Sequence, residues 1–155
     1  MRDDDSEEVW SPTALPIRDD SAPYVACHGQ GYSRFHHGSH GILVELLQFV
    51  PPEDPVKISR LTLQNLSGRS RRLTVTAYAE WVLGSSRGDS APYIITEIDA
   101  ETGALFARSV LGGEFRGAVG FGHPSLHGLV DADRGVQHRL LRLHLRQQPG
   151  DLRVH

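Results

Sequence analysis

The chain has 155 residues, of which 39% are hydrophobic and 23% charged, and its formal net charge is -3. This length suits one domain with a core of its own, and the composition is that of a globular protein rather than a disordered one. The acidic balance gives no reason to expect a nucleic-acid partner, because phosphate binders normally carry a net or local basic excess.

Cysteine content and hydropathy exclude two further classes. The lone Cys27 cannot form an intramolecular disulfide, which excludes a secreted disulfide scaffold. No run approaches the ~18 apolar residues that a membrane span requires, and the acidic start Met1–Asp5 has the wrong charge for a signal peptide. We therefore expect a soluble, cytoplasmic chain.

Residues 3–23 are rich in acids, proline and serine and predict an irregular, extended arm. Its prolines remove backbone donors and push the preceding residues toward extended conformations, which prevents a helix. One short strand is expected at Glu8–Trp10 and a second at Tyr24–Cys27. Cys27 is expected to be a buried, inert thiol, because the neighbouring His28 would point to the opposite face of a strand.

The densest polar and aromatic chemistry lies between His28 and His40, directly before the apolar run Ile42–Val50. Gly29 and Gly31 allow positive φ or the close approach of another chain. The run itself fits neither the helical nor the strand period cleanly. Its length of nine residues, and the turn residues on both sides of it, favour a strand that is buried on both faces.

The next two segments, Val56–Asn65 and Leu73–Leu83, predict an antiparallel hairpin. Apolar residues occupy every second position of the second segment, which is typical of a strand with one face on a core, and Trp81 belongs to that buried face. The connector between the segments supplies turn residues. The apolar phase of the first segment shifts, which predicts a β-bulge near Ser59–Arg60. Three arginines in the connector (Arg69, Arg71 and Arg72) are expected to be a solvated hairpin end.

Further along, Gly84–Ser90 predicts a flexible loop. Tyr93–Asp99 and Ala104–Val110 predict a second hairpin around Ala100–Gly103, where Gly103 supplies a positive-φ position. Arg116–Phe121 predicts one more short strand. Several short strands with closely spaced turns and no long helix indicate an all-β antiparallel sandwich.

Residues 122–155 differ in character, with leucines scattered among arginines and histidines. Leu141, Leu143 and Leu145 alternate as in a strand, whereas Val136, Leu140 and Leu143 could share one face of a short helix. The sequence leaves both alternatives open.

Four histidines between residues 28 and 40 suggest a metal site, because neutral imidazole is a good zinc or copper ligand. His36 and His37 would however diverge on a strand, and the spacing matches no zinc motif. We expect surface or cleft histidines that form hydrogen bonds, with no metal and no cofactor. The sequence also lacks nucleophile-elbow, zinc-protease and phosphate-loop motifs, so it indicates no catalytic residue.

Several motifs in order along the chain do resemble a known family. They are Val9–Ile17, His28–Phe35, Ser39–Ile42, Asp54–Gly68 and Thr76–Gly84. Together they resemble the N-terminal β-sandwich, or supersandwich, domain of glycoside hydrolase family 94, also classed as glycosyltransferase family 36. Within that family they look most like the C-terminal region of cyclic β-1,2-glucan synthases. The resemblance covers about residues 3–121.

The resemblance implies an inverting sugar phosphorylase or a glucan-processing glycosyltransferase, in which the sandwich precedes a helical (α/α)6 barrel. That barrel carries the general acid and the phosphate site, so no catalytic residue carries over to this chain and it is expected to be inactive alone. The implied partners are a β-glucan or oligosaccharide and the barrel, and full-length relatives are expected at the inner membrane. After about Phe121 the resemblance ends, and residues 122–155 are expected to be a divergent tail, disordered or of the kind that a shifted reading frame or a truncated gene produces.

Two functional hypotheses follow. In the first, the chain is the non-catalytic sandwich of such an enzyme, and its candidate substrate-binding residues are Tyr32, Arg34, His28 and Trp10. An aromatic face can stack on a pyranose ring, and a guanidinium can donate to its hydroxyls. The alternative is a purely structural role, in which Tyr32 packs in the sandwich and Arg34 pairs with a surface acid. In the second hypothesis, the chain is a free-standing sugar- or protein-binding β-module. An exposed apolar flank would favour the first hypothesis and a fully polar surface the second.

Overall fold

The structure, a computed structural model, describes residues 1–53, 56–111 and 119–122 and the backbone of two further strands at 129–131 and 136–141. The described residues form antiparallel strands with one short helical region, which confirms the all-β class. The strands are β1 (Arg2–Asp3), β2 (Tyr24–Gly29), β3 (Tyr32–Ser39), β4 (Ile42–Phe49), β5 (Ile58–Asn65), β6 (Leu73–Thr74), β7 (Ile94–Ile98), β8 (Leu105–Ser109), β9 (Val119–Gly122), β10 (Leu129–Asp131) and β11 (Val136–Leu141).

The largest sheet has six strands in the order β10-β11-β5-β4-β3-β2, all antiparallel to their neighbours. Tight turns set its register. Between β3 and β4 the two connecting residues, His40 and Gly41, have φ of 53° and 74°, the positive pair that a type I′ hairpin turn requires. Gly31, with φ of 79°, ends the turn between β2 and β3. These turns fix which side chains share each face of the sheet.

The expectation that the run Ile42–Val50 is buried on both faces is wrong. Ile42 and Val44 are fully buried, whereas Leu43 between them is 37% exposed. We call the face that carries Val44 the inner face and the one that carries Leu43 the outer face. The inner face holds the main core, because the N-terminal arm packs on it, whereas the outer face carries the partly exposed Leu43 and Tyr32. The core residues are Trp10, Ile42, Val44, Leu61 and Leu63.

The bulge expected near Ser59–Arg60 does not occur. Pairing between β4 and β5 is continuous from Ile42↔Asn65 to Phe49↔Ile58. The apparent phase shift arises because the small polar Ser59 occupies a buried inward position, and Ile58 therefore points outward.

The hairpin predicted between Val56–Asn65 and Leu73–Leu83 is also wrong. β5 pairs with β4 and β11, and only Leu73–Thr74 forms a strand, which pairs with β1. The reason lies in the connector, where the buried Arg71 donates to the Asp3 carboxylate at 2.7 Å and holds this part of the chain to the N-terminus. The arginine cluster is thus not entirely solvated.

Residues 75–83 keep the predicted faces only in part. Val75, Ala79, Trp81 and Leu83 are partly or fully buried, as the alternation predicts, but Ala77, which was predicted on the same face, is exposed. Val75 packs against the main core, and Trp81 packs against a second cluster formed by Leu83 and Ala107. The orientation predicted for Trp81 is therefore correct, although the ring is only partly buried.

The second hairpin is confirmed. β7 pairs with β8, and Gly103 in the connection has φ of 70°. β9 adds a third strand to this sheet, in agreement with the strand predicted to end near Phe121; residues 116–118 lie outside the described residues. Gly84–Ser90, predicted as a loop, instead includes a one-turn helix, α1 (Arg87–Ser90), capped by the Ser86 side chain, and a 3-10 turn follows it at Ala91–Tyr93.

Two other segments differ from or extend the sequence predictions. At Glu8–Trp10 there is no strand but a single bridge, Arg2↔Val9. In the tail, Leu129–Asp131 and Val136–Leu141 are strands that extend the large sheet beyond β5, so the helix alternative is wrong at Val136 and Leu140, while Leu143 and Leu145 lie outside the described residues. The remaining tail residues lie outside the described residues. In the part that the structure describes, no helix is long and apolar enough to cross a membrane.

Candidate functional site

The four candidate sugar-contacting residues lie on two sides of the large sheet. Tyr32 and Arg34 point to the outer face, since their partners in the register, Phe49 and Leu47, belong to the face that carries Leu43. His28 and Trp10 lie on the inner side. The structure therefore brings Tyr32 and Arg34 together and separates both from the other two candidates.

An ionic cluster surrounds Tyr32 and Arg34 on the outer face. The Glu45 carboxylate lies 3.8 Å from Arg34 Nε, 3.8 Å from His36 Nε2 and 3.8 Å from Arg60 Nη2. These distances exceed hydrogen-bond length, so Glu45 interacts with its neighbours by charge. We call Tyr32, Arg34, His36, Glu45 and Arg60 the outer-face cluster.

The aromatic member of the cluster is accessible. Tyr32 is 44% exposed, and the Arg34 guanidinium carbon lies 5.9 Å from the centre of its ring, within the range of a cation–π contact. Arg34 Nε is shielded from solvent and has no hydrogen-bond partner among the described residues. The proposed pairing of Arg34 with a surface acid is thus present only as a loose ion pair.

The edge strand β2 holds His28. Its Nδ1 lies 2.9 Å from the Ser33 hydroxyl, and its ring meets the Phe35 ring edge-on at 6.0 Å. Cys27, expected to be buried, is exposed, because β2 is the edge of the sheet and lacks a strand beyond it among the described residues. This thiol is thus accessible to solvent.

Trp10 is a core residue. Its side chain is completely buried, and its ring stacks on the His40 ring at a centroid distance of 4.8 Å. Its indole Nε1 is shielded and no described residue forms a hydrogen bond with it. In this conformation Trp10 offers no surface to a sugar.

A polar cluster joins the arm to the end of β3. The Ser39 hydroxyl donates to the Asp19 carboxylate and contacts His40 Nδ1, and His40 Nε2 lies 3.3 Å from Glu8. The hydrogen bond from Ser39, followed by those from Ser21, lowers the pKa of Asp19 to about 2. Asp19 therefore connects the irregular arm to the sheet in its ionised form.

This arrangement predicts a specific loss of stability in acid. The pKa of Asp19 in the folded chain, about 2, lies below its ordinary value of 3.8. The ionised group therefore stabilises the fold above pH 3.8, and this contribution is lost as the pH falls from 3.8 toward 2. In unfolding titrations from about pH 5 downward, Asp19→Asn should be less stable than wild type at the upper end and should lose less stability on acidification.

The matched control is Asp20→Asn, at an exposed neighbouring carboxylate. It should retain the acid dependence of the wild-type chain. Parallel curves for Asp19→Asn and wild type would show that Asp19 does not hold the arm.

The four histidines do not converge on one point. His37 and His40 both approach the Asp19 carboxylate, at 3.9 and 3.6 Å, whereas His36 faces outward to Glu45. His37 is buried on the inner face with its ring stacked on Tyr24 at 3.8 Å. Among the described residues, no group of three or more potential ligands is placed to hold a metal ion.

A large apolar cleft opens on the inner side of the sheet, between the arm and residues 74–78. Its volume is about 790 Å³, and its walls include Phe35, Leu46, Ile17 and Tyr78. Several large apolar side chains near it are exposed, among them Leu15 at 77%. The surface is thus not fully polar, which is the observation that favours the first hypothesis.

Glu45 and Arg60 were missed as site residues in the sequence analysis. Two features of the sequence could have placed Glu45. One is the short turn between β3 and β4, and the other is the alternation of side chains between the two faces of a strand. Once the turn at His40–Gly41 sets the register, His36 lies opposite Glu45, and the next pair places Thr62 opposite the same glutamate. Arg60 could not be placed, because the assumed bulge reversed its face.

Comparison with known proteins agrees with these features. A family model described as "Glycosyl hydrolase 94, supersandwich domain" matches residues 1–134, which extends past Phe121. The cyclic beta-(1,2)-glucan synthase NdvB of Rhizobium meliloti (strain 1021) is 36% identical over 121 residues, 78% of this chain and 4% of that protein. Solabiose phosphorylase of Paenibacillus borealis is 36% identical over 83 residues, 54% of this chain and 11% of that protein.

A more distant relative is the N,N'-diacetylchitobiose phosphorylase of Vibrio proteolyticus, which is 28% identical over 104 residues, 66% of this chain and 13% of that protein. The chain thus spans between 4% and 13% of the lengths of these relatives.

Proposed function

Because the chain belongs to glycosyl hydrolase family 94, as its supersandwich domain, we propose that it is the non-catalytic β-sandwich portion of a glucan-processing glycosyltransferase or sugar phosphorylase. Its outer-face cluster contacts carbohydrate. The observation that carries this proposal is the pairing of an accessible aromatic ring, Tyr32, with a guanidinium, Arg34, beside a carboxylate.

The chemistry of the cluster suits a sugar. A pyranose presents apolar C–H groups on its faces and hydroxyls around its rim. The Tyr32 ring can stack on the former, while the Arg34 and Arg60 guanidinium groups donate to hydroxyls and Glu45 accepts from them. The Glu45 carboxylate lies 3.8 Å from Arg34 Nε and 3.8 Å from Arg60 Nη2, which is too far for a hydrogen bond. Either guanidinium can therefore turn toward a ligand without breaking a hydrogen bond to Glu45.

In this proposal the reaction takes place elsewhere. The relatives named as a glucan synthase and phosphorylases are many times longer than the matched region, and the resemblance assigns the general acid and the phosphate site to a helical barrel. The sandwich contacts that barrel and helps to shape a carbohydrate cleft. The apolar surface near the inner cleft supports such a contact better than it supports a free-standing β-module.

The test uses both this chain and a full-length relative that bears the same residues. Purified chain incubated with β-glucan and phosphate should release no glucose 1-phosphate above blank. In the full-length enzyme, Arg34→Ala and Tyr32→Ala should raise KM for glucan while leaving the melting temperature nearly unchanged. Release of glucose 1-phosphate by the chain alone, or an unchanged KM in both variants, would contradict the proposal.

A further inference from the structure

The outer-face cluster has an excess of positive charge. Strands β2 to β5 contain one acidic residue, Glu45, and two arginines, Arg34 and Arg60, and all three belong to the cluster. The arginine side chains are 42% and 43% exposed, whereas the Glu45 side chain is 25% exposed. A ligand that approaches this face therefore meets a positive surface, although the whole chain has a formal net charge of -3.

The two arginines also hold donors that lack an acceptor. Arg34 Nε and Arg60 Nε are both shielded from solvent, and neither forms a hydrogen bond with a described residue. Glu45 is the acid beside them, but its carboxylate oxygens lie 3.8 Å from Arg34 Nε and 3.8 Å from Arg60 Nη2, beyond hydrogen-bond length. Shielded polar groups are normally paired, so two such donors on one face indicate a site for an acceptor that the described residues do not supply.

The register places the two arginines on either side of one residue. Arg34 pairs with Leu47 in β4, and Leu47 pairs with Arg60 in β5. Because neighbouring strands lie about 4.8 Å apart, the two arginine Cα atoms are about 10 Å apart across Leu47. Both guanidinium groups can therefore reach one group held above Leu47. A guanidinium binds a carboxylate or a phosphate through two parallel N–H donors, and these bonds are stronger than those to a neutral hydroxyl.

An apolar row runs beside the two arginines on the same face. Tyr32 pairs with Phe49, and Phe49 pairs with Ile58. Tyr32 is 44% exposed, so a pyranose ring can stack on it. Successive residues of one face lie about 7 Å apart along a strand, so a substituent of the stacked sugar can reach Arg34.

We propose that the outer-face cluster recognises a glycan whose sugar units carry a negatively charged substituent, a carboxylate or a phosphate ester. This inference rests on the proposed function and adds the class of ligand to it. The sugar ring packs on Tyr32, and the anionic substituent accepts hydrogen bonds from Arg34 and Arg60. Glu45 repels that substituent and lowers the affinity for it.

The experiment compares two matched probes by NMR titration of the isotopically labelled chain. One is a β-1,2-linked glucose oligosaccharide, and the other is the same oligosaccharide with its primary hydroxyls oxidised to carboxylates. We expect both probes to shift amides of the outer-face cluster, and we expect the oxidised probe to bind about tenfold more tightly at low salt. This advantage should shrink as the ionic strength rises.

The outcomes separate this inference from the proposed function. Equal affinities for the two probes would overturn the inference alone, whereas the absence of shifts with either probe would contradict both. Inorganic phosphate is the third probe. If it binds as tightly as the oxidised oligosaccharide, the cluster is a site for a free anion and the inference is wrong.

Charge variants test the role of each group. Arg60→Gln should abolish the preference for the oxidised probe, while Arg18→Gln, at an exposed arginine of the arm, should retain it. Glu45→Gln should bind the oxidised probe more tightly than wild type, because it removes the opposing charge and keeps an acceptor. A gain in affinity cannot result from misfolding, so this variant is informative even if Arg60→Gln does not fold. An undiminished preference in folded Arg60→Gln, or unchanged or weaker binding of the oxidised probe by Glu45→Gln, would overturn the inference.

Discussion

Replacing Trp10 with alanine should destabilise the chain by about 3–5 kcal/mol, the usual cost of removing a large aromatic side chain from a core. The indole is completely buried in the main cluster with Ile42, Val44, Leu61 and Leu63. It also connects the irregular arm to the sheet, since it stacks on His40. The free energy of unfolding, measured by urea titration at neutral pH, is the direct readout.

Two control variants test whether the loss of stability comes from removing a buried side chain rather than from removing any aromatic ring. Tyr78→Ala, at a ring that is 66% exposed, should change the stability by less than about 0.5 kcal/mol. Trp10→Phe should cost much less than Trp10→Ala, because it keeps most of the packing. A loss below about 1 kcal/mol for Trp10→Ala would mean that the arm does not pack on the sheet in solution.

Arg71→Met should be the most damaging change at any ion pair of the described residues. The Arg71 side chain is 5% exposed and the Asp3 side chain 0%, and Arg71 also donates to the His40 carbonyl at 2.7 Å. Hydrogen bonds from the Asp5 amide and from Arg71 hold the pKa of Asp3 below its ordinary value, so removal of the guanidinium leaves a buried carboxylate without its cation. The melting temperature of the variant at neutral pH should fall sharply.

The controls for this prediction are an exposed pair and a double variant. Arg18→Met, at the solvent-exposed pair with Asp20, should leave the melting temperature nearly unchanged. Adding Asp3→Asn to Arg71→Met should recover part of the loss, because the uncompensated charge is then removed. Equal melting temperatures for wild type and Arg71→Met would show that Asp3 and Arg71 do not hold β1 to β6.

Local patterns predicted much of the fold. The turn residues around Gly103 gave the hairpin β7–β8, and short apolar or alternating runs gave β4, β5 and most of β2, whereas the pairing of β2 with β3 was not predicted. These elements depend on short-range geometry, in which a positive φ and a period of two specify the structure almost alone.

The wrong predictions concern segments whose structure depends on contacts with distant parts of the chain. The hairpin expected after Asn65 fails because Arg71 bonds to Asp3, 68 positions away, and no local pattern shows that contact. The bulge was inferred from the position of apolar residues, but a buried Ser59 fits the inward face equally well. Cys27 was expected to be buried because the neighbouring His28 points to the opposite face, but that argument does not show that the strand lies at the edge of the sheet.

The candidate site was predicted in part. Tyr32 and Arg34 were both candidate sugar-contacting residues, and the structure places them on one face. Glu45 and Arg60 come from the next two strands, so they required the correct register. Trp10 and His28 were grouped with Tyr32 by composition and resemblance, which carry no information about faces.

The most direct test of the central proposal is a titration of the isotopically labelled chain with a β-1,2-linked glucose oligosaccharide, followed by amide and side-chain NMR shifts. We expect shifts confined to the outer-face cluster, and we expect them to disappear in folded Arg34→Ala while Arg18→Ala, at an exposed arginine of the arm, behaves as wild type. The absence of shifts at the outer face, or shifts at residues of the inner cleft that persist in Arg34→Ala, would contradict a carbohydrate-contacting role for this face.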